Sequence, residues 1–374
     1  MNILFYQPYN QAVPYIESVG EQFVRERHSV FFLTHDPEGI AHENFRKVGC
    51  KTYSLPIKRN FFFQYYFLRI WKLTEFCRVH NIDAVYSHFQ EANLISVIAQ
   101  YFCRSTFIIN RHHTDCAFVD NNVREKWGDK IINRLSKIYI ATSPKVQQQM
   151  VEIEKTAPSK VKLINYGYKF DNLPIPDDTK VKAIRNRFPA KLLLVQAARY
   201  IPEKRHELLL DAIQKIISLG FNVKLLLLGK GPLEKEIESQ IKANRLEGHV
   251  FQLGFQSNIM DYYAAADLIV HFSISEASNS AIKEAALADT PVAVCSNVGD
   301  FDDYIVHEKN GFLLDYYNPA TDLIHIVSDI MMGEYNLEEL GRQLHSDVVQ
   351  KFDIKNVIKD YQTLNSIILN GFKK

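Results

Sequence analysis

The feature that most constrains this chain is an alternation running from end to end: short runs rich in β-branched and aromatic residues, each followed by a longer amphipathic segment. That rhythm fits parallel strands joined by right-handed helical crossovers, and it sets the fold class as α/β. In the first half it predicts strands at Asn2 to Tyr6, Ser29 to Thr34, Asp83 to His88, Thr106 to Asn110, Ile138 to Thr142 and Val161 to Asn165. In the second half the strands are Lys191 to Ala197, Asn222 to Leu228, His249 to Leu253, Asp267 to His271, Pro291 to Val294 and Phe312 to Leu314. Between the halves, Tyr168 to Asp178 carries Pro174 and Pro176 among polar residues and breaks either periodicity, so the domain join falls there. With domains of about 100 to 200 residues the usual size, a chain of 374 is expected to hold two. Val357, Tyr361, Leu364 and Ile368 then recur at steps of four and three, predicting a final helix with no strand after it.

Charge narrows the function. With 44 basic and 43 acidic residues the formal charge is +1, so no global field points to nucleic acid and any anion site must be local. The five cysteines, Cys50, Cys77, Cys103, Cys116 and Cys295, are scattered and lack Cys-x-x-Cys spacing, which argues against a disulfide framework or a zinc site. A reducing cytoplasm is the expected setting. The N-terminus shows neither a basic leader nor an apolar run long enough for a signal peptide.

Open parallel sheets bind ligands beyond the carboxyl ends of their strands, so residues that follow strands are the candidates. After the run ending at His271 come Glu276 and Glu284, eight residues apart, with Ser278, Asn279 and Ser280 between them as N-cap types. A helix starting there would offer unpaired backbone N–H groups and a positive dipole end to a phosphate. Alone, Glu276 equally suits the electrostatics of a helix N-terminus and Glu284 a solvated helix face. Arg199 and Lys204 follow the strand ending near Ala198, where two cations could meet a diphosphate or could form a solvated basic loop. Gly229, in Gly-Lys-Gly-Pro, permits a tight turn and close backbone approach after the next strand. Gly254, Phe255 and Gln256 follow the strand after that, where a flat base could lie.

In this order the four strand ends surround one nucleotide diphosphate, and here the chain resembles the retaining glycosyltransferases of family 4. That resemblance implies a GT-B fold, with two Rossmann-like domains facing across a cleft. It implies an acceptor-side domain over 1–170, to which a C-terminal helix at 355–374 returns, and a nucleotide-sugar domain over 171–354. Arg199 and Lys204 would then hold the donor diphosphate, Glu276 would lie near the transferred sugar and Glu284 would accept from the ribose hydroxyls. Phe255 and Gln256 match the base-contacting segment, and Asn279, Ser280 and Ala281 match the helix start against sugar and phosphate. In the first half, Ser87-His88 and Asn110-Arg111-His112-His113 resemble the family's two histidine-bearing strand ends, which makes His113, or failing that His112, the residue facing the sugar. Two positions depart from the pattern. Ala277 stands where the family commonly has glycine, and the loop Gln7 to Pro14 lacks the glycine-rich turn many members carry.

The reaction so implied is front-face transfer of a hexosyl group with retention, from a UDP-sugar in preference to a GDP-sugar, to a glycan or lipid-linked acceptor. Bacterial surface polysaccharide, lipopolysaccharide or glycolipid synthesis is the expected setting. Because cations of the chain would neutralise the leaving diphosphate, no metal or other cofactor is expected. A nucleotide-sugar epimerase of the same architecture and a non-catalytic nucleotide-sugar-binding partner are the competing readings. The segment Ile57 to Lys72 is rich in aromatics, with four basic residues and no acid. It reads either as a core helix with a basic outer face or as a peripheral contact with the inner membrane surface.

Overall fold

Runs that are apolar on both faces must be covered on both sides, which is the condition of an all-parallel sheet. The computed structural model, which describes residues 1–57, 62–112, 123–276 and 278–371, contains two such sheets, each in its own compact unit. The first unit takes in Met1–Phe170 and Phe352–Lys374 and the second Asp171–Lys351. His113, Ala277, Cys116 and the basic pair Lys58 and Arg59 lie outside the described residues.

The first sheet has strands β1 (Asn2–Gln7), β2 (Ser29–Thr34), β3 (Lys51–Ser54), β4 (Ala84–His88), β5 (Thr106–Arg111), β6 (Ile138–Ala141) and β7 (Val161–Leu163), in the order β3-β2-β1-β4-β5-β6-β7. The strand β3, Lys-Thr-Tyr-Ser, escaped the sequence reading because it is a four-residue edge strand with no fully buried residue. Alternation along the central strands sends Ile3, Phe5, Phe32 and Tyr86 to one core layer and Leu4, Tyr6, Phe31 and Val85 to the other. The final helix, Ile354–Gly371, belongs to the first layer: Val357, Tyr361, Leu364 and Ile368 are all buried there, and the Tyr361 ring meets Phe23 edge-on at 5.9 Å. Tyr86 Oη donates to Asn365 Oδ1 at 2.7 Å, so the returning helix is pinned by a buried hydrogen bond as well as by apolar area. This is the expected return of the C-terminal helix.

The helix Phe62–Val79 settles part of the reading of 57–72. Leu73, Phe76 and Cys77 are buried in the second core layer and Tyr65 and Arg69 are buried too, whereas Phe67 and Trp71 are exposed at 68% and 54%. Among the described residues no helix is long and apolar enough to cross a membrane.

The second sheet has β8 (Leu192–Ala197), β9 (Val223–Leu228), β10 (Val250–Gly254), β11 (Leu268–His271), β12 (Val292–Cys295) and β13 (Phe312–Leu314), in the order β10-β9-β8-β11-β12-β13. All its pairings are parallel. Strand order reverses between β8 and β11, and such a switch point is where a doubly wound sheet opens a ligand crevice at its carboxyl edge. Entry to this unit is a helix, Asp178–Arg187, whose first amides at Thr179 and Lys180 donate to the Asp177 carboxylate.

Truncating Leu364 to Ala removes a nearly inaccessible side chain from the layer that joins the final helix to β1 and β4. We expect a loss of about 2–4 kcal/mol from the first unit. Trp71 and Trp127, the two tryptophans, both belong to that unit, so urea unfolding followed by tryptophan fluorescence reads it directly.

Candidate active site

The carboxyl ends of β8 and β11 carry the charged groups that the sequence singled out. After β8 the chain turns through Arg199 and a short 3₁₀ turn at Pro202–Lys204, then enters the helix His206–Ser218. After β11 it forms the loop bearing Glu276 before the helix Ser280–Leu287. A backbone bond from Ile274 N to Glu203 O, 2.9 Å, ties the two loops together.

Glu276 is the meeting point. Its carboxylate pairs with Lys204 Nζ and, through Oε1, with His271 Nε2 at 2.7 Å. Lys204 also donates to Ser273 Oγ at 3.3 Å. Burial pushes the Glu276 pKa up, but His271 and Lys204 outweigh it and hold the group at about 2, so the carboxylate is ionised at any working pH. Glu284, one turn inside the helix, moves the other way: burial raises its pKa against a hydrogen bond with Ser280.

Three cations follow β8, and their positions differ. Arg205 is used structurally, donating to Phe272 O at 2.6 Å and Tyr316 O at 2.8 Å while its own φ is +47°. Lys204 is paired with Glu276. Arg199 is exposed and makes no ion pair among the described residues. A glycine supports the loop that carries it. Gly229 has φ +139°, and a Cβ there would sit 2.0 Å from Ala198 O, so the close approach this residue permits is to the backbone beside Arg199.

The Glu276 loop rests on a buried base that the sequence did not disclose. Lys283 Nζ and Asp300 Oδ2 form an ion pair of 2.9 Å with both side chains almost inaccessible, and Ser278 Oγ donates to the same oxygen at 2.6 Å. Asp300 stands just before the short turn Phe301–Asp303 and faces inward, although two further aspartates beside it make the segment look like a solvated acidic turn. Gly299, at φ +56°, lets this segment pass under Glu276, because a Cβ at that position would lie 2.9 Å from the Glu276 Cβ. Asn279 caps the helix, its Oδ1 accepting from Ile282 N at 3.3 Å, with Ser280 and Ala281 as the first helical residues. At the end of β10, Phe255 is exposed at 75% and Gln256 bonds back to Leu253 O at 2.6 Å. His271 and Ser273 join the site unpredicted. Their signal was position alone, at the end of the strand that feeds Glu276.

In the first unit His112 follows β5 and lies inside a stack of rings. Its Nε2 lies 3.0 Å from His88 Nδ1 and its Nδ1 3.0 Å from Tyr166 Oη. Burial pulls the His88 pKa down to about 3, so that ring is neutral and the stack is a packed polar cluster. Among the described residues no three His, Cys, Asp or Glu side chains gather as a metal site.

Two doubly wound units of this kind fit the GT-B fold, and comparison with known proteins agrees. Anabaena HepE in complex with UDP superposes with a TM-score of 0.82 at 20% identity, covering 98% of this chain and 100% of that one, and the same protein has been solved with UDP-glucose. Residues 12–171 match the family described as Glycosyltransferase Family 4 and residues 177–343 match Glycosyl transferases group 1. The chain belongs to the family 4 glycosyltransferases. An uncharacterized glycosyltransferase of Methanocaldococcus jannaschii is 23% identical over 334 residues, 79% of this chain and 82% of that protein. The N-acetyl-alpha-D-glucosaminyl L-malate synthase of Bacillus anthracis is 23% identical over 374 residues, 95% and 93% of the two chains.

The depressed Glu276 pKa has a testable sign. A group with a folded pKa of about 2 against an ordinary value of 4.5 stabilises the fold above pH 4.5 and loses that contribution as pH falls toward 2. The loss is on the order of 3 kcal/mol. In scanning calorimetry the Glu276→Gln variant should show a flatter decline of the second unit's transition across that window.

Proposed function

We propose that the chain moves a hexosyl group, with retention of anomeric configuration, from a UDP-sugar in preference to a GDP-sugar to a glycan or lipid-linked acceptor, in the synthesis of a bacterial surface polysaccharide or glycolipid. The observation that carries this reading is the junction of Lys204, Glu276 and an unpaired Arg199 at the switch point of the second sheet. An ammonium has three N–H donors. Lys204 uses two, toward Glu276 and Ser273, which leaves one for a phosphate oxygen. Arg199 adds a fork of donors, and the amides at the start of the helix Ser280–Leu287 add a positive dipole end.

Cleavage of the bond between an anomeric carbon and a diphosphate places negative charge on the leaving oxygen, and donors already fixed there lower the barrier most directly. Arg199 and Lys204 take that role, so the chain supplies the charge without calling on a metal ion. Glu276, held as a carboxylate, cannot act as the proton-donating acid of a glycosidase-type pair. Its role is to accept hydrogen bonds from the sugar and to orient Lys204. Glu284 accepts from the ribose hydroxyls, Phe255 and Gln256 flank the base, and His113 is the group assigned to the sugar from the first unit. The complex of Anabaena HepE with UDP favours uridine as the base.

Glu284→Ala should raise the donor KM about tenfold with little change in kcat, the loss expected when one hydrogen bond to bound substrate goes. Glu276→Ala should lower kcat about a hundredfold. Steady-state kinetics on the UDP-sugar separate the two, and an unchanged KM in the Glu284 variant would remove the ribose assignment. Of UDP, GDP, ADP and CMP, UDP should raise the melting temperature most. Contact with the inner membrane surface through 57–72 is proposed on the exposed Phe67 and Trp71. Flotation with anionic liposomes should weaken when Lys58 and Arg59 are changed to Glu, and equal flotation would discard the contact.

A further inference from the structure

The first unit holds a cavity of about 610 Å³ at the carboxyl ends of β1, β2 and β3, within the size range of small-ligand sites. Tyr9, His35 and Pro56 line it from the loops after those strands, Tyr65 and Arg69 from the helix Phe62–Val79, and Glu91 from the helix Gln90–Ala99. Arg69 is the anomaly. It is 5% exposed, yet its Nε and Nη1 have no hydrogen-bond partner, and no acid lies within ion-pair distance among the described residues. Its guanidinium stacks over the Tyr65 ring at 4.2 Å.

Buried charges are ordinarily paired, and buried donors ordinarily satisfied. Other arginines in this chain obey the rule: Arg111 meets Asp129 at 2.8 Å and Glu154 at 2.7 Å, and Arg205 donates to two carbonyls. Two acids line the cavity, Asp36 and Glu91, neither within ion-pair distance of Arg69, and Glu91 is already engaged. It accepts from Tyr65 Oη at 2.6 Å and lies 3.5 Å from His35 Nδ1, while His35 Nε2 meets Tyr6 Oη. Burial accordingly bears on the Arg69 charge, lowering its pKa, with only partial relief from Tyr6 and Glu91. Arg69 lines the cavity, and a guanidinium whose Nε and Nη1 are both unused matches the oxygens of a phosphate or carboxylate.

We infer that this cavity is an anion site in which the Arg69 guanidinium receives the phosphate or carboxylate group of the acceptor. The word acceptor rests on the glycosyltransferase reading above; the anion site itself does not. The Glu91 carboxylate, on the same cavity wall, opposes any anion there, so removing its charge should tighten binding.

Isothermal titration calorimetry on the full-length chain tests it with inorganic phosphate, malonate, and dihexanoyl phosphatidic acid below its micellar concentration. At least one should bind at a site that persists in Lys204→Met, and Arg69→Met should weaken that probe about tenfold or more. Binding of phosphatidic acid alone identifies a lipid phosphate, binding of phosphate a phosphorylated small molecule or polymer, and binding of malonate a carboxylic acid. Should Arg69→Met fail to fold, Glu91→Gln decides: binding about threefold tighter or more supports the site, and unchanged or weaker binding overturns it. Absence of binding by all three probes, or loss with Lys204→Met and retention with Arg69→Met, also overturns it. UDP binding measured on the same samples tests the donor reading separately: no UDP binding alongside Arg69-dependent anion binding would sink that reading and leave this site standing.

Discussion

The second unit's carboxyl edge depends on one carboxylate. Glu276 is held between Lys204 and His271, and through them the loop after β8 is fastened to the loop after β11 across the point where strand order reverses. Besides that contact the two loops share the backbone bond from Ile274 N to Glu203 O and the bonds from Arg205 to Phe272 O and from Lys204 to Ser273 Oγ. The pair is partly buried, so its attraction is screened less than that of a surface ion pair, and the surrounding polar groups reduce the cost of desolvating it. Beneath it the inaccessible Lys283–Asp300 pair with Ser278 gives the loop a floor, and Gly299 permits the floor to come close. The arrangement is a stiff platform made of charges, in which each member is hydrogen-bonded to another.

The strand ends were legible because they obey local rules. Twelve strands were readable from their apolar runs, and the thirteenth, β3, was not, because an exposed edge of four residues has neither an apolar run nor strict alternation. The final helix was legible from its spacing, and Val357, Tyr361, Leu364 and Ile368 are indeed its buried face. At the site, residue types in order along the chain were enough to mark Arg199, Lys204, Glu276, Asn279 and Glu284. Their allocation was not readable. Whether Lys204 or Arg205 would meet Glu276 depends on a residue in the left-handed region at the turn, and nothing in Lys-Arg-His declares that. Asp300 was hidden for a similar reason: an aspartate among aspartates looks like a solvated turn until a lysine from the helix before it is packed on top. Arg69 lay inside a basic, aromatic segment whose periodicity could place it on either face.

The two glutamates eight residues apart illustrate how environment divides roles between like groups. Glu276 is drawn down to about 2 by a lysine and a histidine, whereas Glu284 is pushed up by burial with a lone serine to relieve it. Separated pKa values of this kind often mark an acid and a base working together. The direction here argues otherwise. The carboxylate that the resemblance sets beside the sugar is the one that stays ionised, and the one kept nearer to neutrality is assigned to the ribose, away from the bond that breaks. Under the proposed assignment, then, the carboxylate beside the sugar is not a proton donor. On the proposed function a diphosphate is already a good leaving group, and what would help it leave is positive charge, the part proposed for Arg199 and Lys204.

The same reasoning separates the two arginines that stand out. Arg199 is exposed and lies at a sheet edge, so its lack of an ion pair costs little in the folded chain. Arg69 is buried, and its unused donors are a standing penalty that the fold could remove by replacing it with methionine, a residue of similar length and no charge. Unsatisfied buried charge of that kind is retained where it acts on something else, since stability given up at one position is tolerable in a unit with two full core layers. An anion drawn into the cavity would satisfy the guanidinium and relieve the penalty at once. Binding energy for the acceptor would then come from the relief of strain already present in the unliganded fold, which makes the interaction stronger than an equivalent contact formed on an exposed surface.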